Sequence, residues 1–207
     1  MSSLLLLGFA LGFAVAASPG PIFFLCLRRT LLRGRLYGVI SGLGVATADG
    51  VYAAIAAFGF AVVVDAVAGA RRPFAVTGGA VLIALGLRIL LERAGRAAEA
   101  PATSGTGLAW AYVSTLGLTI ANPATIISFA ALAATLSLGG AGTPVRPAAL
   151  VLGVLAGSAA WWCALALAAS LLRTRITPAS IRAINTFSGL AIAVLGMLAI
   201  YSAFSSA

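Results

Sequence analysis

Six long apolar stretches follow one another along this chain, near residues 4–27, 37–64, 74–91, 108–136, 147–171 and 183–204, with short pieces rich in Arg, Pro or Gly between them. About 17 to 25 apolar residues suffice for a helix to cross a bilayer. The pattern therefore predicts an all-α membrane protein of six transmembrane helices, with no room for a separate soluble domain. The longest polar piece, 93–107, has the Ala, Pro, Ser, Thr and Gly content of a flexible connector. It divides a single transmembrane domain, 1–207, into a first half (1–92) and a second (108–207), each with three spans.

Two of the stretches are interrupted. Ser18, Pro19, Gly20 and Pro21 break the first, and Asn122 with Pro123 breaks the fourth at nearly the same depth. Proline has no N–H and clashes with the preceding turn, so each break frees backbone amides and carbonyls where water is scarce. The other spans also pair off between the halves. Gly38 and Gly42 match Gly153 and Gly157 as GxxxG pairs, and the seven-residue spacing of Gly79 and Gly86 recurs at Gly189 and Gly196. Three spans per half force the second copy to enter the membrane upside down, so the expected architecture is two inverted three-helix repeats with helices 1 and 4 broken at Pro. Such repeats commonly build transporters, with the solute held near the midplane at the broken helices. Small residues also allow close helix packing in membrane proteins of every kind, and exposed GxxxG faces would allow a homodimer.

The N-terminal stretch up to Ala17 imitates a secretory signal, but no basic residue precedes it and apolarity resumes at Ile22. It is expected to stay as the first helix.

Composition places the chain in a bilayer. It is 62% hydrophobic and 8% charged with a mean hydropathy of +1.13, against about 25% charged in soluble domains. The net charge of +9 comes from Arg alone. These residues sit between apolar stretches rather than on one face, which argues against nucleic acid and for contact with anionic headgroups. Of the 13, ten fall at the first, third and fifth connections and three on the other side. The positive-inside rule then makes those three connections cytoplasmic and both termini extracytoplasmic. Arg88, inside the third span, is the weak point of the count. Abundant Ala, Gly and Arg without Lys suggest a GC-rich bacterial genome and hence the plasma (inner) membrane. His is absent, and the two cysteines, Cys26 and Cys163, lie in separate spans. No metal site, cofactor or catalytic residue is expected, and the chain reads as a transporter rather than an enzyme.

Only four acidic residues occur, and Asp65, Glu92 and Glu99 lie at span ends or in connectors. Asp49 stands in the middle of the second span among small and apolar residues. A carboxylate there costs about 2.5 to 3.5 kcal/mol on insertion scales, so it should face the bundle interior. With Arg88 the single candidate for a basic residue at that depth, its charge would pair with a proton, a cation or the ammonium of a ligand. Asp49 is thus a candidate proton carrier, with Tyr52 three positions on along the same helix face and Thr47 nearby. The breaks supply a complementary half. The helix that starts at Pro21 offers free N–H groups and a positive dipole end to a carboxylate, and Ser18, Asn122 and Thr125 add polar groups.

With those residues in place, the chain resembles the LysE/RhtB family of bacterial amino-acid exporters. The resemblance rests on Gly12 through Pro21, with Ser18 to Pro21 standing at the family's Pro-Gly-Pro signature; on Gly34, Gly38 through Gly42 and Gly44; on Ala48 to Tyr52 followed by Phe58 and Gly59; and on Ala121, Asn122 and Pro123. It implies export of amino acids or related small solutes by proton antiport, through about six helices, with Pro19, Gly20, Pro21, Asn122, Pro123 and Asp49 as functional positions. Ala124 stands where many members carry Lys. Substrates vary within the family, so the resemblance selects no particular amino acid.

Two other readings compete. A metal-ion or other cation exporter would want several oxygen or sulfur ligands, and one carboxylate is thin. A membrane thiol relay would want paired cysteines, yet aligning the breaks sets Cys26 against Ser128.

Overall fold

The structure, a computed structural model, describes residues 2–58, 71–91, 105–122, 125–129, 145–172 and 177–205. Pro123, Ala124, Gly59, Asp65, Glu92, Glu99 and connector residues 93–104 lie outside them. Every regular element described is an α-helix: α1 (Ser2–Ala17), α2 (Pro21–Arg33), α3 (Arg35–Ala57), α4 (Arg71–Leu91), α5 (Gly105–Ile120), α6 (Val145–Leu172) and α7 (Pro178–Ser205). Residues 125–129 form a further short helical piece after α5. Among the described residues, three helices are long and apolar enough to cross a membrane, in α3, α6 and α7, and the bent pair α1 and α2 makes a fourth candidate. In α4, Ala75–Leu91 is apolar but shorter.

The chain bends by 80° between α1 and α2. Gly20 is extended at the N-cap (φ −148°, ψ −177°) and Pro21 takes the first helical position, where its missing N–H is lost to no partner. The Phe24 amide then donates to the Gly20 carbonyl at 3.3 Å, and after the second interruption the Ile126 amide donates to the Asn122 carbonyl at 3.1 Å. Gly34 joins α2 to α3 at a φ of 96°, which a side chain would strain.

Close approach of glycines sets the helix packing. Gly8 and Gly12 of α1 lie against Leu150, Gly153 and Val154, and Gly157 meets Phe9 and Phe13, so α1 and α6 run parallel in contact. In α3, a Cβ on Gly44 would strike the Tyr112 carbonyl and crowd the Leu116 amide; one on Gly153 would strike the Leu5 carbonyl and the Phe9 amide. Both glycines thus meet a carbonyl at one position and the amide four residues on, α3 against α5 and α6 against α1. The other contact is reciprocal: Gly79 meets the Gly196 carbonyl and Gly86 the Gly189 carbonyl, and each in turn is met, so α4 and α7 pack antiparallel. Finally α3 crosses α6 antiparallel, with Gly38 against Ala166, Gly42 against Trp162 and Gly50 against Leu155.

These contacts correct one expectation. The GxxxG faces of Gly38 with Gly42 and Gly153 with Gly157 are buried inside the chain rather than presented to a second copy, because the α1 backbone lies on Gly153 and Gly157 while the side chains of Thr30, Ala166 and Trp162 lie on Gly38 and Gly42. A second difference concerns Arg28 and Arg29, which the sequence places at a headgroup-facing connection. Both lie within α2, where Arg28 is 8% exposed. Arg88, by contrast, is exposed on α4.

Candidate functional site

Asp49 lies in the middle of α3, 2% exposed. Small residues surround it on the chain; Gly50 lies against Leu155 of α6, and Ala53 shares a core cluster with Val154. The Ser158 hydroxyl of α6, itself fully buried, donates to Asp49 Oδ2 at 2.7 Å. Among the described residues no guanidinium contacts the carboxylate. Its hydrogen-bond partner there is neutral, so no described cation compensates a negative charge on it.

Tyr52 is set apart from this pair. Its hydroxyl donates to the Ile120 carbonyl at 2.7 Å, at the last residue of α5, and its ring stacks on Phe129 with centroids 5.9 Å apart. One side chain therefore touches both sides of the second interruption. Thr47 turns the other way: its hydroxyl donates to the Leu43 carbonyl and accepts from Tyr112 of α5 at 2.9 Å.

Of the break residues, Ser18 and Pro19 are exposed, Gly20 is half-buried and Pro21 is buried. Asn122 is half-buried and Thr125 is 7% exposed. Ile126 and Phe129 share a core cluster with Tyr52, Ala53 and Val154, which lie about one turn to one side of the Asp49–Ser158 pair. The second interruption and the acidic layer are thus packed together. The first interruption belongs to a neighbouring cluster in which Ala16, Ile22 and Cys26 meet Val45 of α3 and Trp162 of α6.

A polar layer follows along α2. Arg28 Nε donates to Asn185 Oδ1 of α7 at 2.9 Å. Arg29 donates to Ser41 Oγ of α3, the Ala111 carbonyl and Ser114 Oγ of α5 at 3.1, 3.0 and 2.9 Å. Thr115 donates to the Ser41 carbonyl at 2.7 Å. Two adjacent arginines thereby tie α2 to helices on opposite sides of it. Cys26 and Cys163 are free thiols.

The sequence reading passed over Ser158, Asn185, Trp161 and Trp162. Ser158 looks like any other serine in an apolar stretch until α3 and α6 are seen to cross. The others look like ordinary members of apolar helices until their neighbours are known.

Comparison with known proteins adds one match. The family model described as LysE type translocator matches residues 13–203. That interval takes in both interruptions, the Asp49 layer and the arginine layer. Neither the search of curated proteins nor that of solved structures returns a match.

Proposed function

The chain belongs to the LysE type translocator family, a family of membrane exporters, and from that premise we propose that it carries amino acids or related small solutes out of the cytoplasm across a bacterial plasma membrane in exchange for protons. The observation that carries this reading is Asp49: a carboxylate 2% exposed in a helix long and apolar enough to cross a membrane, held by a neutral hydroxyl and faced by no cation among the described residues. Buried charges without a partner are expensive, so the group calls for a proton or a cationic solute. A proton exchanged for solute uses that demand in both directions.

The proposed architecture is six spans in two inverted repeats. The equivalent surroundings of Gly44 and Gly153 support it, as does the reciprocal contact of Gly79 with Gly196 and Gly86 with Gly189. Two like bundles of opposite orientation have similar energies open to either side. In this reading Ser18, Pro19, Gly20, Pro21, Asn122, Pro123 and Thr125 border the solute, Tyr52 supports the second break beside the proton site, and both termini face outward. The arginine layer then lies on the cytoplasmic side.

The test is efflux into inverted membrane vesicles, with a panel of amino acids and a pH-sensitive dye. Wild-type protein should accumulate an amino acid and move protons the other way, and Asp49→Asn should abolish proton-coupled transport while reaching the membrane in normal amount. Full coupled transport by Asp49→Asn would sink the assignment of the proton site.

A further inference from the structure

The buried polar groups along α6 divide by chemistry. Ser158 holds the acceptor, Asp49. Three and four residues on, Trp161 and Trp162 bring two indole N–H groups into the interior, and neither buried Nε1 has a hydrogen-bond partner among the described residues. Trp162 is 3% exposed. Indole nitrogen only donates, so nothing but an acceptor can satisfy these groups, and a buried donor left without one is unusual enough to need an explanation. Packing does not provide it. Phe would fill a comparable apolar space without the N–H.

Their surroundings point to a ligand. Trp162 packs with Ala16, Ile22 and Cys26, the residues flanking the first interruption, and Trp161 borders the same cluster while meeting Phe13 edge to face. The root of the Trp162 side chain, its Cβ and Cγ, lies against Gly42, whose neighbour Ser41 accepts from Arg29. Arg29 is itself a donor-only group, and its three hydrogen bonds all go to neutral oxygens. Its positive charge therefore has no acid in contact among the described residues. Two indole donors without an acceptor among the described residues thus belong to the cluster that flanks the first interruption, and Ser158, which holds Asp49, lies about a helical turn away along α6.

We propose that the indole N–H groups of Trp161 and Trp162 bind the carboxylate of the exported solute, in the positive field of Arg29. The inference rests on the export reading above and adds the recognition of one end of the substrate. An α-amino acid fits both layers, its carboxylate on the two indoles and its ammonium toward Asp49 and Ser158. A solute with a carboxamide in place of the carboxylate would bring one acceptor oxygen and no charge.

The chain has three tryptophans, and Trp110, 65% exposed, is an internal reference. In full-length protein with 15N-labelled tryptophan, reconstituted in nanodiscs, the amino acid best exported in the vesicle assay should shift the Trp161 and Trp162 indole signals and leave that of Trp110 in place. Its carboxamide should do so only at concentrations about tenfold higher or more, the cost of losing a charged hydrogen-bond acceptor. In vesicles, Trp162→Phe and Trp161→Phe should raise KM for the acid about tenfold and lose the preference for acid over amide. Should a variant fail to reach the membrane, the indole signals of the unaltered chain decide the matter alone. Unmoved indole signals, or a Trp162→Phe protein with the wild-type KM and preference, would overturn this proposal and leave export standing. A wild-type protein that exports no amino acid would overturn both.

Discussion

Asp49 and Ser158 are hydrogen-bonded across α3 and α6 at a separation of 109 residues, the same separation that divides Gly44 from Gly153, two glycines with matching backbone surroundings. If the halves are inverted copies, a residue in contact with its own counterpart stands on the axis that relates them. The acidic layer would then be at the one place whose distance from each side is unchanged when the halves exchange roles, which suits a group that must meet both compartments.

Ser158→Ala removes the hydrogen bond that the described residues give Asp49, and bonds to a charged group are worth about 1.5 to 3 kcal/mol. Efflux should fall roughly tenfold, and the pH–rate profile in vesicles should be displaced from that of wild type. A lower rate with an unmoved profile would mean that Ser158 only packs α6 against α3.

Tyr52 joins the two sides of the second interruption through its hydroxyl and its ring. Tyr52→Phe keeps the stack on Phe129 and leaves the Ile120 carbonyl without that donor. Apparent stability of the purified protein in detergent should drop by about 1 kcal/mol or slightly more, and Tyr52→Ala should cost more than Tyr52→Phe. Equal melting of Tyr52→Phe and wild type would show that the carbonyl finds another donor.

Much of this arrangement is legible in the chain because the signals are local. Proline cannot continue the first helix, so the interruption at residues 18–20 follows from Pro19 and Pro21 wherever the helix sits. A lone acid among Ala and Gly must turn inward, and Asp49 does. What stays hidden depends on register between helices. Nothing local tells Ser158 from any other serine, since its role appears only when α3 and α6 cross at Gly42 and Gly50. The arginines mislead for a related reason: near a helix end Arg28 and Arg29 look like headgroup anchors, but Asn185, Ser41 and Ser114 on three other helices give them interior partners. The tryptophans count as apolar in a hydropathy profile, which conceals the one polar atom each must place.

The glycines separate backbone contact from open space. At Gly153 a Cβ would run into the Leu5 carbonyl and the Phe9 amide, and at Gly44 into the Tyr112 carbonyl, so neither neighbour can give way without moving a helix. At Gly20 nothing lies within 4 Å of the added atom, and its φ of −148° suits any residue. Gly44→Ala and Gly153→Ala should both cut the yield of folded protein, judged by monodisperse elution from detergent, while Gly20→Ala should accumulate as wild type does. A well-folded Gly153→Ala protein would contradict the close approach of α1 and α6.

Arg29 reaches three oxygens on two helices through two terminal nitrogens, a demand that a planar fork meets and a single ammonium does not. Arg29→Lys keeps the charge and should lose most of the bridge from α2 to α3 and α5. Because this layer and Arg28 with Asn185 supply the polar anchors of α2, loosening it should reach the interruption about two turns earlier, at Pro21. The expected outcome is a fall in apparent stability of about 1 to 3 kcal/mol together with slower efflux. Arg29→Gln should be no better, since it removes the charge as well. Wild-type melting and efflux in Arg29→Lys would show that charge alone, and not the geometry of the guanidinium, is what this layer requires.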